Sequence, residues 1–464
     1  MSKYFKCQLN KPAVDFKCGE DIIFTITAKE NCRDIECKYV YWKMATDDGK
    51  FSTGYGRIEI GKPLVLKTSL SRPGFVRVTC TPLTDENFNI PDFDILEAGA
   101  GAEIEKLSYC DTIPEDFDEY WGKIEKMVAD CDCKATYCEE ITRGVKKGFK
   151  VFDVRVSTPE GRDASGLISI PDKEGTFPMQ IYLRGYSVTG TPTPDYRENT
   201  IVGFFNAHGI ENECKMEGIM KYPELSNYGF DETENESNMT TYWRGMMIRN
   251  LCAAKYMKTL PQWDKKNFTA KGGSQGALQA TTVAAHDKDV TYLDIMIPWF
   301  CNLNAESKGF MAGWRPKFKE GLRYFDTVAQ ATRVKCPVNI EAGLGDYVCP
   351  PSTTVTLYNE FKCPKRLELI QGRTHPYNPP EREIFVRLSD GVNPITEVKK
   401  GKYRHFRGNE YEVIDTGFDS ETMEEVVIYK ALYGDNKIWV RPKHMFLENT
   451  IYNGEYVKRF TYIG

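Results

Sequence analysis

A run of six residues, Lys271-Gly272-Gly273-Ser274-Gln275-Gly276, constrains the fold of this 464-residue chain more than any other feature. It lies between an apolar stretch over 268–272, typical of a strand, and a stretch over 277–286, typical of a helix. Glycines two residues before and after a serine allow a turn too tight for larger side chains, and the turn raises the serine hydroxyl above the sheet. The run therefore predicts a strand–turn–helix junction with Ser274 as a nucleophile.

The surroundings of this run predict a parallel sheet covered by helices. From about residue 150, short apolar runs alternate with helical patterns, and the longest predicted helix covers 243–260. Buried strands that alternate with helices are typical of an α/β fold. The predicted strands of this part cover 151–157, 166–170, 179–183, 201–206, 268–272, 338–343 and 366–370.

Two further regions have β patterns. Alternating polar and apolar residues over 21–28, 36–44 and 75–81 predict an N-terminal β-sandwich, expected to be immunoglobulin-like. After Pro394 the composition shifts to Tyr, Val, Arg and Lys with glycine turns, which predicts a small all-β unit. Its core candidates are Tyr403, Phe406, Tyr411 and Trp439.

These patterns predict three domains. They are an N-terminal β-sandwich over 1–98, an α/β-hydrolase core over 99–394, and a small barrel-like β domain over 395–464. We expect Gly99-Ala100-Gly101 to lie in the linker between the first two domains.

Charge and cysteine content exclude several classes of function. Lys and Arg number 61 against 66 Asp and Glu, a net charge of −5, so a nucleic-acid partner is not expected. No apolar run approaches the roughly 18 to 20 residues of a membrane span, and residues 1–20 lack the apolar core of a signal peptide. The 15 cysteines are therefore expected to be reduced thiols in the cytoplasm. The spacing of Cys131, Cys133 and Cys138 fits no familiar zinc site, and no metal or cofactor is predicted.

A nucleophilic serine needs a base and an acid that orients the base. Asp346 follows the predicted strand 338–343, and His375 follows the predicted strand 366–370. The order Ser274, Asp346, His375 is the order of α/β-hydrolases, so these residues are the predicted catalytic triad. The other histidines are His208, for which we expect a hydrogen-bonded structural role, His286, His405 and His444.

The tetrahedral oxyanion of such a reaction needs two backbone N–H donors. One donor directly follows the nucleophile, which is Gln275. The second comes from a loop after an earlier strand, and Leu183-Arg184-Gly185-Tyr186 has the right form. Tyr186 and Gln275 are therefore the predicted oxyanion-hole residues.

Beyond these local patterns, residues from about 114 to 385 resemble carbohydrate esterase family seven, which contains acetyl xylan esterases and cephalosporin C deacetylases. The matching residues are Pro-Glu-Asp-Phe-Asp at 114–118, Tyr-x-Arg-Gly at 242–245, Gly-Ser-Gln-Gly at 273–276, Tyr-Phe-Asp at 324–326, Lys-Cys-Pro-Val at 335–338, Gly-Asp-Tyr-Val-Cys-Pro-Pro-Ser at 345–352, and His375. The resemblance implies the same triad and the same oxyanion hole.

The chain departs from this family at four places. His208-Gly209-Ile210 stands where the family has Arg-Gly-Gln, and Arg184 stands for a histidine. Ala277 replaces a glycine, and Pro376 replaces a glutamate. None of these changes removes a member of the predicted triad. The four changes affect the substrate range that the resemblance implies. They also affect the ring-shaped hexamer that it implies, and the expected assembly is a homo-oligomer.

The C-terminal unit resembles a small bacterial β-barrel domain of unknown function. The matching residues are Gly-x-Tyr-Arg-His-Phe-x-Gly-Asn-x-Tyr at 401–411, Ser-Glu-Thr at 420–422, Leu-Tyr-Gly at 432–434, and Trp-Val-Arg-Pro at 439–442. Its aromatic and basic residues fit either a ligand-binding surface or a barrel core with a solvated face.

The expected function is that of a serine esterase that removes acetyl groups from sugars or oligosaccharides, in the manner of an acetyl xylan esterase or a cephalosporin C deacetylase. One alternative is a hydrolase of the same fold that acts on other short-chain esters or on peptides. The other is a glycan-binding protein whose hydrolase domain is inert.

Overall fold

The N-terminal part of the computed structural model consists of two antiparallel sheets. The structure describes residues 2–84, 90, 94–191, 193–214, 218–379, 382–389, 398–420, 425–447, 449–452 and 455–464. The first strands are β1 (Phe5–Leu9), β2 (Ile22–Ala28), β3 (Tyr39–Thr46), β4 (Phe51–Arg57), β5 (Leu64–Thr68), β6 (Gly74–Leu83) and β7 (Leu96–Ala102). One sheet has the order β1-β2-β5, and the other has the order β4-β3-β6-β7.

These two sheets enclose a common core. Every second residue of β2 is buried, as Phe24 is, and the same alternation on β6 buries Val78. Such alternation is what a sheet with one buried face requires. The N-terminal β unit therefore agrees with the sequence pattern, and its immunoglobulin-like topology stays a prediction.

A sheet of ten strands forms the centre of the molecule. Its strands are β8 (Ala135–Ile141), β9 (Phe149–Val156), β10 (Ala164–Pro171), β11 (Phe177–Leu183), β12 (Ile201–Phe205), β13 (Trp263–Gly273), β14 (Tyr292–Met296), β15 (Val338–Gly343), β16 (Lys365–Ile370) and β17 (Ile384–Ser389). The order is β17-β16-β15-β14-β13-β11-β12-β10-β9-β8. The six adjacent strands β16, β15, β14, β13, β11 and β12 run parallel to one another. The sequence did not predict the outer strands β8 and β17 or the inner strand β14.

Helices cover this sheet, so the central unit is a mixed α/β structure as predicted. They are α1 (Phe117–Asp130), α2 (Gly218–Lys221), α3 (Tyr242–Met257), α4 (Gln275–His286), α5 (Thr327–Ala331) and α6 (Pro351–Glu360). Helix α4 is buried along most of its length, because α3 and α5 pack against it on top of the sheet. Within the part of the chain that the structure describes, no helix is long and apolar enough to cross a membrane.

The C-terminal unit has its own sheet and its own core. The sheet has the order β21-β20-β19-β18-β24, and β22 pairs with β23. The elements are β18 (Gly401–His405), β19 (Glu410–Phe418), β20 (Glu425–Ala431), β21 (Ile438–Pro442), α7 (Lys443–Leu447), β22 (Asn449–Tyr452), β23 (Glu455–Lys458) and β24 (Phe460–Tyr462). The unit is thus predominantly β and also contains one short helix.

Of the four predicted core aromatics of this unit, Tyr403 and Tyr411 are in its core, whereas Phe406 is half-buried outside the core cluster. Tyr403 and Tyr411 pack with Phe446 and Phe460, and the rings of the last two stack at 4.2 Å. The prediction of Trp439 as a core residue is wrong, because its side chain is 51% exposed on β21, a strand at the end of the sheet order. The alternation of this strand does not reveal which of its faces is covered.

The prediction that Gly99-Ala100-Gly101 forms a linker is also wrong, because these residues form the buried centre of β7. The predicted domain boundary at 98/99 therefore falls inside a strand, and the boundary at 394/395 lies outside the described residues.

A Cβ atom at Gly99 would lie 2.3 Å from the Leu344 carbonyl oxygen. Gly99 also exchanges two hydrogen bonds with the Gln371 side-chain amide, at 3.0 and 2.9 Å. The glycine is needed for close approach between two parts of the fold and does not provide a flexible hinge.

A second contact joins the N-terminal sheet to the central unit. The buried Asp47 carboxylate accepts hydrogen bonds from the N–H groups of Phe75, at 2.8 Å, and Met311, at 2.9 Å. Arg72 donates to the carbonyl oxygen of Lys308, at 2.7 Å. The N-terminal unit thus holds the loop around 308–311 as well as the loops after β15 and β16.

Replacement of Gly99 by alanine tests this packing. We expect Gly99→Ala to lower the free energy of unfolding by about 1–3 kcal/mol, because the new methyl group meets a backbone carbonyl that cannot move freely. The matched control is Gly56→Ala on β4, where a Cβ atom meets nothing within 4 Å. We expect the control to change stability by no more than about 0.5 kcal/mol. Urea unfolding followed by tryptophan fluorescence makes the comparison, and equal stability of the two variants would contradict the contact.

Candidate active site

The predicted strand–turn–helix junction is present at Ser274, between β13 and α4. Ser274 has φ 55° and ψ −124°, a backbone conformation that non-glycine residues rarely adopt. A Cβ atom at Gly272 would lie 2.0 Å from the Gly276 carbonyl oxygen, and one at Gly276 would lie 2.1 Å from the Leu183 carbonyl oxygen. Both glycines are therefore required, and the turn carries the serine at the carboxyl end of the parallel strands.

Asp346 and His375 meet at the same edge of the sheet, because β15 and β16 are parallel neighbours. The Asp346 carboxylate is completely buried, and one oxygen accepts the backbone N–H groups of Val348, at 3.0 Å, and Cys349, at 2.9 Å. The other oxygen lies 2.9 Å from Nδ1 of His375, whose side chain is 24% exposed. A carboxylate at Nδ1 keeps a proton on that nitrogen, which leaves Nε2 as an acceptor.

Cys349 connects Ser274 to this pair. The Ser274 side chain is close enough to the Cys349 thiol to lower the pKa of that thiol, against the larger effect of burial. The Cys349 sulfur, an Asp346 carboxylate oxygen and a His375 ring nitrogen all lie within 4.8 Å of one another. Burial raises the pKa of Cys349 well above its usual value, so the thiol stays protonated. The three predicted triad residues are thus gathered around one buried thiol.

The same three residues Asp346, Cys349 and His375 are also of the types that bind metal ions. Their donor atoms are already used within the protein, because the Asp346 oxygens accept two backbone N–H groups and the imidazole. This arrangement fits a carboxylate that orients a histidine better than it fits a metal ligand.

The two predicted oxyanion-hole residues come from loops that are packed against each other. Gln275 is the first residue of α4, and a helix leaves the N–H groups of its first turn without partners inside the helix. The loop after β11, which leads to Tyr186, lies against this turn. The Gln279 side-chain amide donates to the Arg184 carbonyl oxygen at 2.7 Å, and Gly276 closely approaches Leu183.

An aromatic wall stands beside Ser274. The Tyr186 ring stacks on Tyr228 with centroids 4.3 Å apart and meets Trp314 edge-on at 4.6 Å. Trp299 stacks on Trp314 at 5.3 Å, and its backbone N–H donates to the Ser274 carbonyl oxygen at 3.3 Å. Tyr186 was predicted from the sequence, but no local pattern identified Tyr228, Trp299 or Trp314 as parts of the site.

His208 supports the loop that carries Tyr186. The imidazole is completely buried, with Nδ1 2.7 Å from the Tyr242 hydroxyl and Nε2 2.8 Å from the Ser187 carbonyl oxygen. Burial lowers its pKa to about 3, so the ring is neutral at physiological pH. These contacts agree with the structural role expected from the sequence. His286 is held in the same way between Glu125, at 2.8 Å, and Gln330, at 2.7 Å.

Comparison with known proteins identifies the family of the central unit. The family described as "Acetyl xylan esterase (AXE1)" matches residues 101–307 and 317–387, which is well over half of the chain. The chain belongs to the acetyl xylan esterase family. Membership makes it a carboxylic ester hydrolase of the kind expected from the motifs around Ser274. The C-terminal residues 401–462 match a second family, described as "Protein of unknown function (DUF1653)".

Individual proteins and solved structures are similar to parts of this chain. The acetyl esterase Axe7A of Xylanibacter ruminicola is 24% identical over 340 residues, which cover 68% of this chain and 73% of the relative. Acetyl Xylan Esterase 1 from Thermoanaerobacterium sp. JW/SL YS485 is a similar solved structure, with 20% identity and a TM-score of 0.49 over 59% of this chain and 92% of that chain. A solved DUF1653 protein from Bordetella bronchiseptica is 27% identical, with a TM-score of 0.15, over 15% of this chain and 94% of that chain.

Because His208 is buried and neutral, we predict that acid lowers the folding stability of this member of the acetyl xylan esterase family. Because the pKa of His208 is lowered from 6.5 to about 3 in the folded state, the unfolded chain binds the proton more readily between these values. Stability is therefore fully present above pH 6.5 and declines as the pH falls towards 3. Glutamine does not titrate in this range. When the pH is lowered from 7.5 to 5, we therefore expect the free energy of unfolding of His208→Gln to fall by roughly 2 kcal/mol less than that of the unmodified protein.

The measurement is urea unfolding of both proteins at the two pH values. The difference between them at pH 7.5 reports the packing effect of the substitution alone and serves as the baseline. Parallel loss of stability in both proteins would contradict the assignment of a neutral, buried imidazole.

Proposed function

We propose that the protein hydrolyses acetyl esters of carbohydrates and that Ser274 is its nucleophile. The observation that supports the proposal is a serine on a strained turn, with a buried thiol near it and an imidazole beside that thiol that a buried carboxylate orients. Family membership and a relative named as an acetyl esterase supply the substrate class.

The proposed reaction proceeds in two halves. Nε2 of His375 accepts the Ser274 proton while the serine oxygen attacks the ester carbonyl carbon. The N–H groups of Tyr186 and Gln275 stabilise the oxyanion that forms. The intermediate collapses, and the sugar hydroxyl leaves with the proton from His375. A water molecule then gives a proton to His375, attacks the acetyl-enzyme, and releases acetate, and the serine regains its proton.

The packing near Ser274 supports a preference for a short acyl group. Trp299, whose backbone N–H donates to the Ser274 carbonyl oxygen, also lines a cavity with Trp314 and Cys349. The volume of this cavity is about 10 Å³, which is about the space of one water molecule. Rigid rings border it, so a longer acyl chain would have to displace them. An acetyl group extends only one methyl group beyond the carbonyl carbon.

A panel of esters tests the substrate class. We expect acetate release from acetylated xylo-oligosaccharides, acetylated monosaccharides or cephalosporin C, and a fall of kcat/KM of at least about tenfold from aryl acetate to aryl butyrate. Ser274→Ala should lower kcat by several powers of ten without unfolding the protein, because it removes the covalent route. Ser307→Ala is the control, since this exposed serine bonds only the neighbouring Asn304 carbonyl oxygen.

The alternatives give different results in the same panel. Cleavage of longer esters or peptides at equal rates would favour a broader hydrolase. Absence of acetate release from every acetylated sugar would favour the inert glycan-binding protein. Near-normal turnover by Ser274→Ala would contradict the nucleophile assignment.

We propose that the C-terminal unit does not contribute to bond cleavage. Its core aromatics, including Phe446 and Phe460, form a cluster separate from that of the central unit. All five proposed site residues lie between Tyr186 and His375, before this unit begins. Location in the cytoplasm and assembly into a homo-oligomer stay predictions.

Truncation after Pro394 tests this assignment. We expect the shortened protein to hydrolyse a small soluble acetyl ester within about twofold of the full chain, since no proposed site residue is lost. Loss of activity on a polymeric acetylated glycan alone would indicate a role in recruitment. A folded truncation with little activity on the small ester would show that the C-terminal unit shapes the site.

A further inference from the structure

A cavity of about 520 Å³ adjoins His375, and two separate parts of the chain line it. The loops after β15 and β16 contribute Tyr347 and His375, while the N-terminal unit contributes Arg77 and Glu97. Residues before 101 lie outside the region that matches the acetyl xylan esterase family. This wall of the cavity is therefore an addition to the shared catalytic unit.

Arg77 and Glu97 bring hydrogen-bonding groups to the cavity. An Arg77 Nη atom donates to a Glu97 carboxylate oxygen at 2.7 Å, and the guanidinium lies 4.2 Å from the centre of the Tyr347 ring. Within the described chain, Arg77 Nε and the Tyr347 hydroxyl are buried and have no hydrogen-bond partner. A ligand in the cavity would instead meet the accessible polar groups of Arg77 and Glu97, whose side chains are 32% and 19% exposed. A neutral, hydroxyl-rich ligand has the donors and acceptors to pair with these groups.

The same sheet face continues away from the cavity. Strand register aligns Glu97 with Thr79, Thr79 with Lys43, and Lys43 with Thr53. The adjacent row runs from Arg77 through Ala45 to Phe51. Three strand spacings separate β7 from β4, a distance of about 14 Å. All of these side chains point to one face of the sheet, because they occupy alternate positions on their strands.

Aromatic rings cover the outer end of this face. Phe51 is 66% exposed and Tyr55 is 54% exposed, both on β4. Tyr41 lies opposite Tyr55 on β3. Exposed apolar side chains that cluster within a polar rim mark interaction sites more often than single exposed ones do. Flat rings next to hydroxyl, amino and carboxylate groups suit the two surfaces of a sugar, one apolar and one rich in hydroxyls.

We propose that this outer face of the N-terminal sheet, defined by Phe51, Tyr55, Lys43, Arg77 and Glu97, binds the oligosaccharide chain whose acetyl group enters the site at Ser274. The inference rests on the proposed function. Arg77 and Glu97 bind the sugar nearest to His375, on the leaving-group side of the ester. Phe51 and Tyr55 stack on sugars farther along the chain. The contacts at Gly99 and Asp47 hold this face in a fixed position relative to the triad.

The test compares a long and a short substrate in the full-length enzyme. The double variant Phe51→Ala, Tyr55→Ala should raise KM for an acetylated xylo-oligosaccharide by about tenfold and leave its kcat unchanged, because two stacking contacts are lost in binding. Its kcat/KM for an aryl acetate should stay within about twofold. Glu97→Gln should raise the same KM several-fold. The control is Phe418→Ala on β19 of the C-terminal unit, where the side chain is 68% exposed.

Unchanged KM for the oligosaccharide in both the double variant and Glu97→Gln would overturn the proposal. So would a change of oligomeric state in the double variant by light scattering, because the face would then be a contact between copies. If the unmodified protein releases no acetate from any ester, the proposed function fails independently. Titration of unacetylated xylo-oligosaccharide onto both proteins then decides the inference, and equal affinities would refute it.

Discussion

The close approach between the start of α4 and the end of β11 is the contact on which the site depends. At Gly276 the backbone comes so near to the Leu183 carbonyl that no side chain fits between them. This contact places the first turn of the helix beside the loop that carries Tyr186. It also fixes Ser274 in a backbone conformation that an isolated chain would avoid. The rest of the tertiary packing must supply the stability that keeps this turn in place.

Around that turn, the site is built mainly from hydrogen bonds to groups that stay neutral or fully buried. His208 fixes one loop as a neutral imidazole, and the Asp346 carboxylate is satisfied by two backbone N–H groups. Burial also keeps Cys349 protonated. In the reaction proposed for this site, charge would change chiefly at His375, so little reorganisation would be needed when the oxyanion forms.

The parts of the site that could be predicted from the sequence are those with local rules. Two glycines around Ser274 predict a tight turn. The order of Asp346 and His375, each after one of two neighbouring strands, follows from the topology of a parallel sheet. Cys349 lies within a matching motif, three residues after Asp346, yet its proximity to Ser274 depends on tertiary structure. The partners of Arg77 and the aromatic wall at Trp299 arise from long-range contacts, for which one sequence holds no periodic signal.

The two wrong predictions, a linker at 99–101 and a core position for Trp439, also concern features that depend on long-range contacts. Gly99-Ala100-Gly101 has the composition of a flexible linker, but close approach between two backbones demands small residues as well. Trp439 alternates like a core residue, but alternation alone does not reveal which face of a strand is covered.

The hydrogen bonds between Gly99 and Gln371 join residues that are 272 positions apart. During synthesis the N-terminal sheet emerges first, and its edge at β7 has to wait, uncovered, until the chain has been extended beyond residue 371. Only then can the loops of Asp346 and His375 settle against it. The chain therefore cannot become an active catalyst while most of it is still being made. Until that point the glycine-lined edge of β7 lacks Gln371, its hydrogen-bonding partner in the folded chain.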